Sequence, residues 1–374
     1  MARAAAAIEG DPPPEPDRVP GSPHPREAAR VIGQDEAVAE FVEAARSGRL
    51  HHAWLLTGPR GVGKASLAWA AARWLLAGTD SPDLTVAPDD PVARRIRVLS
   101  EPRLALARRP WDEKAGRLRA EITVEEIRRL LAFFHMSAAE GGRRVAIIDA
   151  ADELNPSAAN ALLKMLEEPP RDAVLFLVAH QPARLLPTIR SRCRLLRLAP
   201  LAPEAMAGIL AGLDAQGDPA RLAALSGGSV GEALRLTGQD GLAVYQQIVD
   251  LFATLPRMDR PAAARLATLA GARPSAEGDP FDLVLTLLDR FLARLARTGL
   301  LGAPLPEAAT GEGDLLARLS PDAAAARGWA EAQAGTSARA RAGRAVNLDP
   351  SALVMDMLVT LAQVPAAHGQ QGPT

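Results

Sequence analysis

The residues whose types and spacing carry the clearest chemistry run from Leu55 to Ser66, Leu-Leu-Thr-Gly-Pro-Arg-Gly-Val-Gly-Lys-Ala-Ser. Glycines at 58, 61 and 63 leave the backbone free to wrap an anion with its N–H groups. Lys64 then supplies a positive charge where a phosphate-binding loop places its lysine. The next residue of such a loop is a Ser or Thr whose hydroxyl holds Mg²⁺. Here it is Ala65, and Ser66 comes one position late, about 100° further round a helix. Further on, Asp149 ends an apolar run where an aspartate would hold the metal's hydration shell. An active hydrolase of this type follows that aspartate with a glutamate that polarises water, and this chain has Ala150. Asp152 and Glu153 lie a little beyond, with the wrong backbone direction for that task.

Ser191-Arg192-Cys193 is the other segment with chemical potential. An arginine at such a corner either projects to stabilise phosphoryl charge in a neighbouring subunit or is simply solvated, and spacing alone leaves both open. Cys193 reads as a small buried hydrophobe. His51 and His52 have no metal-spaced partner and read as structural, while Trp69 and Trp74 read as core.

The elements that must position these residues follow from periodicity. Ala53–Thr57 is a short apolar strand entering the glycine loop, and Lys64–Ala77 has the continuous apolar content of a buried helix whose N-terminus faces the loop. Gln34–Ser47 and Val124–His135 carry helical apolar spacing, the second behind a Thr123…Glu126 capping box. Arg144–Asp149, Ala173–Ala179 and Arg194–Leu198 read as strands, the first two fully buried. Ser157–Glu168 is a helix started by Asn155-Pro156 and stopped by Pro169-Pro170. Apolar strands alternating with helices predict an α/β parallel sheet covered on both faces. Between Gly78 and Arg119 the pattern breaks down, and it reads as an insertion with one short strand around Arg95–Ser100.

Beyond the linker Ala199–Pro203 every clear pattern is helical. Three short helices are expected up to Leu236, then longer ones at Leu242–Leu255, Ala262–Ala270, Pro280–Thr298, Ala323–Ala334 and Ser351–Gln363. The expected layout is a disordered leader over 1–25, a core over 26–199 with the insertion at about 78–119, a helical region over 200–240, a second over 241–364 and a frayed tail over 365–374. No period of 20 to 50 residues repeats, which excludes a solenoid.

With 374 residues, 48% hydrophobic and 23% charged, the chain has ample material for more than one core. A formal net charge of -1 excludes strong global attraction to nucleic acid. A single cysteine excludes an internal disulfide framework or a cysteine-rich zinc site. No apolar run reaches the roughly 20 residues of a membrane span. The Ala-rich start and the Pro-rich Glu9–Pro25 lack a signal-peptide pattern, so a cytoplasmic location is expected.

Taken together, these segments resemble the delta-prime family of subunits of the bacterial DNA polymerase III clamp loader, over most of Val31–Leu236. The resemblance rests on Gly33-Gln34, His52-Ala53-Trp54-Leu55-Leu56-Thr57-Gly58-Pro59 and Val145–Asp152. It rests further on Asn160-Ala161-Leu162-Leu163-Lys164-Met165-Leu166-Glu167-Glu168-Pro169-Pro170 and Leu186-Pro187-Thr188-Ile189-Arg190-Ser191-Arg192-Cys193. It implies a RecA-like AAA+ P-loop core, a small helical lid and an all-α collar for oligomerisation. It also implies that Gly58, Gly61, Gly63, Lys64 and Asp149 mark a degenerate nucleotide site, and that Arg192 is an arginine finger acting in trans. The motor subunits of such loaders keep a hydroxyl after the P-loop lysine, a Walker B glutamate, a polar sensor after the third core strand and a lid arginine. This chain has Ala65, Ala150, His180-Gln181 and Gly231.

The implied partners are motor subunits of the gamma/tau type and the clamp-opening delta subunit in a pentamer, with the sliding clamp and primer-template DNA reached through the complex and no membrane. The expected role is a non-hydrolysing subunit that helps load the clamp; the alternative is an ATP-hydrolysing motor subunit of the same loader. No cofactor is expected beyond residual ATP or ADP. Many relatives carry a four-cysteine zinc module, and 78–119 has no cysteine, so no zinc is expected.

Overall fold

The structure is a computed structural model, and it describes residues 15–19, 22–135, 142–213, 215–275 and 278–364. The expected frayed tail over 365–374 lies outside the described residues. The chain divides into two compact units, Met1–Leu201 and Ala202–Thr374.

The first unit is built on a five-stranded parallel sheet of order β2-β5-β6-β1-β7. Its strands are β1 (Ala53–Thr57), β2 (Leu104–Arg108), β5 (Arg144–Asp149), β6 (Ala173–Ala179) and β7 (Arg194–Arg197). Every residue of β1 and β6 is buried, as strands covered on both faces require. Alternation within the strands splits the core in two. Trp54, Leu56, Val145, Ile147, Phe176 and Val178 face α1 (Asp35–Arg46), α2 (Lys64–Ala77) and α3 (Pro91–Arg97). Leu55, Ile148, Leu175 and Leu177 face α4 (Val124–His135), α5 (Pro156–Glu167) and α6 (Pro187–Arg190). Phe41 of α1 packs edge-on to Trp54 with ring centroids 5.1 Å apart, which locks α1 over the strand that leads into the glycine loop. This is the parallel α/β core, covered on both faces, that the sequence predicts.

Three expectations for this unit are corrected. The segment 78–119 is not a detached insertion, because its Leu104–Arg108 pairs with β5 and forms one edge of the main sheet. The strand expected around Arg95–Ser100 is the end of helix α3, started by Asp90, whose carboxylate accepts from Val92 N and Ala93 N, with Pro91 in the first turn. A small antiparallel pair follows, β3 (Trp111–Asp112) with β4 (Arg117–Leu118). The leader over 1–25 is also anchored from Glu15 onward within the described residues. His24 is fully buried against Trp69 of α2, with ring centroids 5.7 Å apart. Asp17 and Glu15 pair with Arg108 at 2.7 and 3.0 Å.

The second unit is helical: α7 (Pro203–Gly212), α8 (Pro219–Ser226), α9 (Val230–Gly238), α10 (Gly241–Ala253), α11 (Arg260–Ala270), α12 (Pro280–Leu301), α13 (Glu312–Leu319), α14 (Ala323–Ala345) and α15 (Pro350–Ala362). Asp or Ser side chains cap α8, α9, α11, α12, α14 and α15 at their N-termini, which explains why their starts were legible. Helix α14 runs 11 residues past the expected Ala334, and α13 was not expected. Arg290 of α12 pairs with Glu232 of α9 at 2.9 Å and donates to Leu225 O of α8 at 2.5 Å, tying the short helices to the long ones.

Candidate functional site

The candidate site lies at the C-terminal edge of the parallel sheet, where ligands bind in open α/β folds. Strand register brings Thr57 level with Ala179 and Arg197, and Asp149 level with Val178 and Arg108. The glycine loop leaves β1 at Gly58, whose φ of +143° and close approach to Leu198 O exclude a side chain. A Cβ there would sit 2.4 Å from that oxygen. Gly63 caps α2 in the left-handed conformation, so the helix N-terminus and its partial positive charge face the loop, as predicted.

Lys64 is buried, and its Nζ donates to Gly58 O and Pro59 O, each at 2.7 Å. The ammonium is therefore held by carbonyls of its own loop. Burial lowers its pKa to about 8, opposed by the nearby Asp149 and Asp152 charges. Asp149 is also buried, and burial raises its pKa to about 8, helped by the Asp17, Glu153 and Asp152 carboxylates and opposed by Lys64. Both groups thus pay to be charged where they sit. Ala65 offers no hydroxyl at the magnesium position, and Ala150 no carboxylate.

Asp152, set aside on sequence, has a structural task here. Its two oxygens accept from His180 N at 2.9 Å and Gln181 N at 3.0 Å, fixing the turn after β6. His180 is held neutral at ordinary pH, its pKa lowered to about 4 by burial and then by the Lys64 charge. An open hollow of about 290 Å³ lies beside it, lined by Thr57, Gly58, His180, Pro182, Arg197 and Leu198. Sequence reasoning gave Gln34 no role. Its side chain donates to Val62 O at 3.1 Å and Ala199 O at 2.8 Å and accepts from Ala199 N at 3.2 Å, clamping the glycine loop to the chain that leaves β7. Only its place beside Gly33 drew attention to it.

Arg192 sits just after α6, with Nη2 2.9 Å from Glu167 Oε1 and Nη1 donating to Thr188 O at 3.0 Å. Its side chain keeps 36% of its surface exposed. The structure therefore brings Gly58, Gly61, Gly63, Lys64 and Asp149 to one sheet edge and places Arg192 elsewhere, on the unit's surface. Cys193 is half-buried, with burial pushing its thiol up to about 12, as suits an inert hydrophobe. His51 and His52 stack at 4.3 Å, and His52 Nε2 donates to Leu166 O at 3.2 Å. Among the described residues no cluster of His, Cys, Asp or Glu is arranged to hold a metal ion. No helix among them is long and apolar enough to cross a membrane.

Residues 33–202 match the family model described as DNA polymerase III, delta subunit. The chain is 36% identical over 222 residues to DNA polymerase III subunit delta' of Pseudomonas aeruginosa, covering 53% of this chain and 60% of that one. It is 34% identical over 210 residues to the delta' subunit of Bacillus subtilis, covering 55% and 60%. The matched segment is thus similar to the delta-prime subunits of DNA polymerase III. The chain spans about 60% of the length of these delta-prime relatives. The tau subunit of Salmonella typhimurium is 32% identical over 243 residues, covering 62% of this chain and 36% of that protein. All five segments that carry the resemblance, from Gly33-Gln34 to Leu186–Cys193, fall within the segment that the family model matches.

Proposed function

We propose that this chain is a non-hydrolysing subunit of a clamp loader, helping to load a sliding clamp onto primed DNA. The single observation that carries the reading is Lys64, whose ammonium is bonded to Gly58 O and Pro59 O. A working P-loop turns that charge toward a bound phosphate. The surrounding donor set does not fit magnesium nucleotide: Ala65 and Ala150 supply no ligand or base, and burial favours the protonated form of Asp149.

In this reading the active contribution is Arg192. Its part-exposed guanidinium stabilises the charge that develops on ATP bound by an adjacent motor subunit of the gamma/tau type. The other partners are the clamp-opening delta subunit in a pentameric ring and, through the complex, the clamp and primer-template DNA. Helices α7–α9 serve as the lid and α10–α15 as the collar that holds the ring, and the place of action is the cytoplasm. Polymerase activity lies in another subunit.

Fluorescent ADP and ATP titrations of the isolated chain, with and without Mg²⁺, test the first half; no magnesium-dependent binding and no hydrolysis are expected. ATP hydrolysis abolished by Lys64→Ala would instead make the chain a motor subunit. In a reconstituted loader, Arg192→Ala is expected to lower DNA-stimulated ATPase by 10³ or more at the site it serves, the order of magnitude of an arginine finger. Unchanged ATPase and clamp loading would reject the finger.

A further inference from the structure

The two most specific sequence motifs of the first unit, Leu162–Pro170 and Ser191–Cys193, are joined by an ion pair of Glu167 with Arg192. We propose that Glu167 is a positioning residue that holds the Arg192 guanidinium ready to act on a neighbouring subunit. The inference rests on the reading of Arg192 as a finger.

Both ends of the contact are anchored. Glu167 is the last residue of α5, whose Leu162, Met165 and Leu166 are buried in the core. The end of that helix is fixed by Glu168 N donating to Lys164 O at 3.0 Å and by His52 Nε2 donating to Leu166 O at 3.2 Å. On the other side, Ile189 is fully buried and Cys193 packs against the same core. The corner backbone is closed by Ser191 N donating to Pro187 O at 2.9 Å and Arg192 N to Ile189 O at 3.1 Å. The backbone beneath Arg192 is thus rigid, and only its long side chain has freedom to lose.

Glu167 Oε1, paired with Nη2 at 2.9 Å, and Thr188 O, which accepts from Nη1 at 3.0 Å, remove that freedom. A guanidinium has five N–H donors in a planar fork, so two bonds leave three for an outside acceptor. An unheld surface arginine would have to be ordered at the moment of reaction, and ordering it beforehand lowers that cost. The pair is about half exposed, and such pairs are weak, so the expected gain is modest.

The test uses the full chain in a reconstituted loader and compares wild type with Glu167→Ala, Glu167→Gln, Arg192→Ala and the double variant Glu167→Ala/Arg192→Ala. Glu167→Ala is expected to lower DNA-stimulated kcat about two- to fivefold with KM for ATP unchanged. Glu167→Gln keeps an acceptor oxygen and is expected to recover part of the loss. In the Arg192→Ala background, Glu167→Ala is expected to change nothing further, because its effect passes through Arg192. A rate that is unchanged or raised by Glu167→Ala overturns the proposal, and so does an equal loss with and without Arg192. If Arg192→Ala itself is silent, the finger reading and this inference fall together; if Arg192→Ala is damaging and Glu167→Ala is silent, only this inference falls.

Discussion

Replacing Asp17 with Asn distinguishes the two views of the N-terminal segment. Its composition, Pro-rich and acidic, reads as an unfolded leader. In the structure, Asp17 keeps 1% of its side-chain surface and lies 2.7 Å from Arg108 Nη1 and 3.0 Å from His24 Nε2. His24 Nδ1 accepts from Arg26 N at 3.0 Å, so a neutral ring carries its proton on Nε2, facing Asp17. Glu15 completes the cluster at 2.6 Å from Arg26 and 3.0 Å from Arg108. Breaking a buried ion pair on one side costs about 3–5 kcal/mol. Two features reduce that here: Arg108 keeps Glu15 as a partner, and Asp149 loses a like charge that raises its pKa. A loss at or just below that range is therefore expected, about 2–3 kcal/mol, equivalent to about 4–12 °C in Tm for a unit of this size.

The pH dependence fixes the sign. Burial pushes the Asp17 pKa up, but the His24 hydrogen bond and the Arg108 charge outweigh it and hold the folded value below the ordinary one. Its share of stability is then complete above the unfolded aspartate pKa of about 3.9 and is lost as pH falls through the depressed folded value. Urea denaturation followed by tryptophan fluorescence is the assay, since Trp69 packs on His24. Wild type and Asp17→Asn are expected to differ at pH 7 and to converge toward pH 3. A difference below about 0.5 kcal/mol at pH 7, the noise of a surface substitution, would refute the anchored segment.

Two further stability outcomes are expected. Tyr245→Phe removes the hydroxyl that donates to the fully buried Glu312 at 2.6 Å, leaving Arg294 and Ala308 N as its remaining donors. A loss of about 1.5–3 kcal/mol in the second unit is expected by denaturation, and a neutral result would mean that Glu312 does not need the bond. Gly58→Ala places a Cβ 2.4 Å from Leu198 O at a φ of +143°. It is expected to cost about 2–4 kcal/mol by the same assay, and an unchanged transition would show that the loop has another conformation.

What was legible in the sequence was what is decided locally. The ranges of α2, α4, β5 and β6 match their expected residues because apolar periodicity, capping side chains and prolines act within a few positions. The misses share a different cause. Leu104–Arg108 is too short and too half-buried to declare itself, and it is a strand because β5 lies beside it. Helix α14 continues through Gly335, where a stop was expected, because Asp289 of α12 takes bonds from Ser337 and Arg341 further along. Both decisions are made by a partner element.

The same division runs through the candidate site. Gly58, Gly61, Gly63, Lys64 and Asp149 are legible as a set because a glycine loop before a helix and a carboxylate at a strand end are local patterns. What the set does in this chain depends on groups that no local pattern names. Lys64 is turned back on Gly58 O and Pro59 O, and Asp149 is disfavoured as an anion by burial and by carboxylates that include Asp17, 132 positions earlier in the chain. Arg192 shows the complementary case. The Ser-Arg-Cys spacing alone left it either functional or merely solvated. The contact that would give it a fixed direction comes from Glu167 at the end of another helix. A motif locates charge; the packing around it decides whether that charge is turned inward, as at Lys64, or held at the surface, as at Arg192.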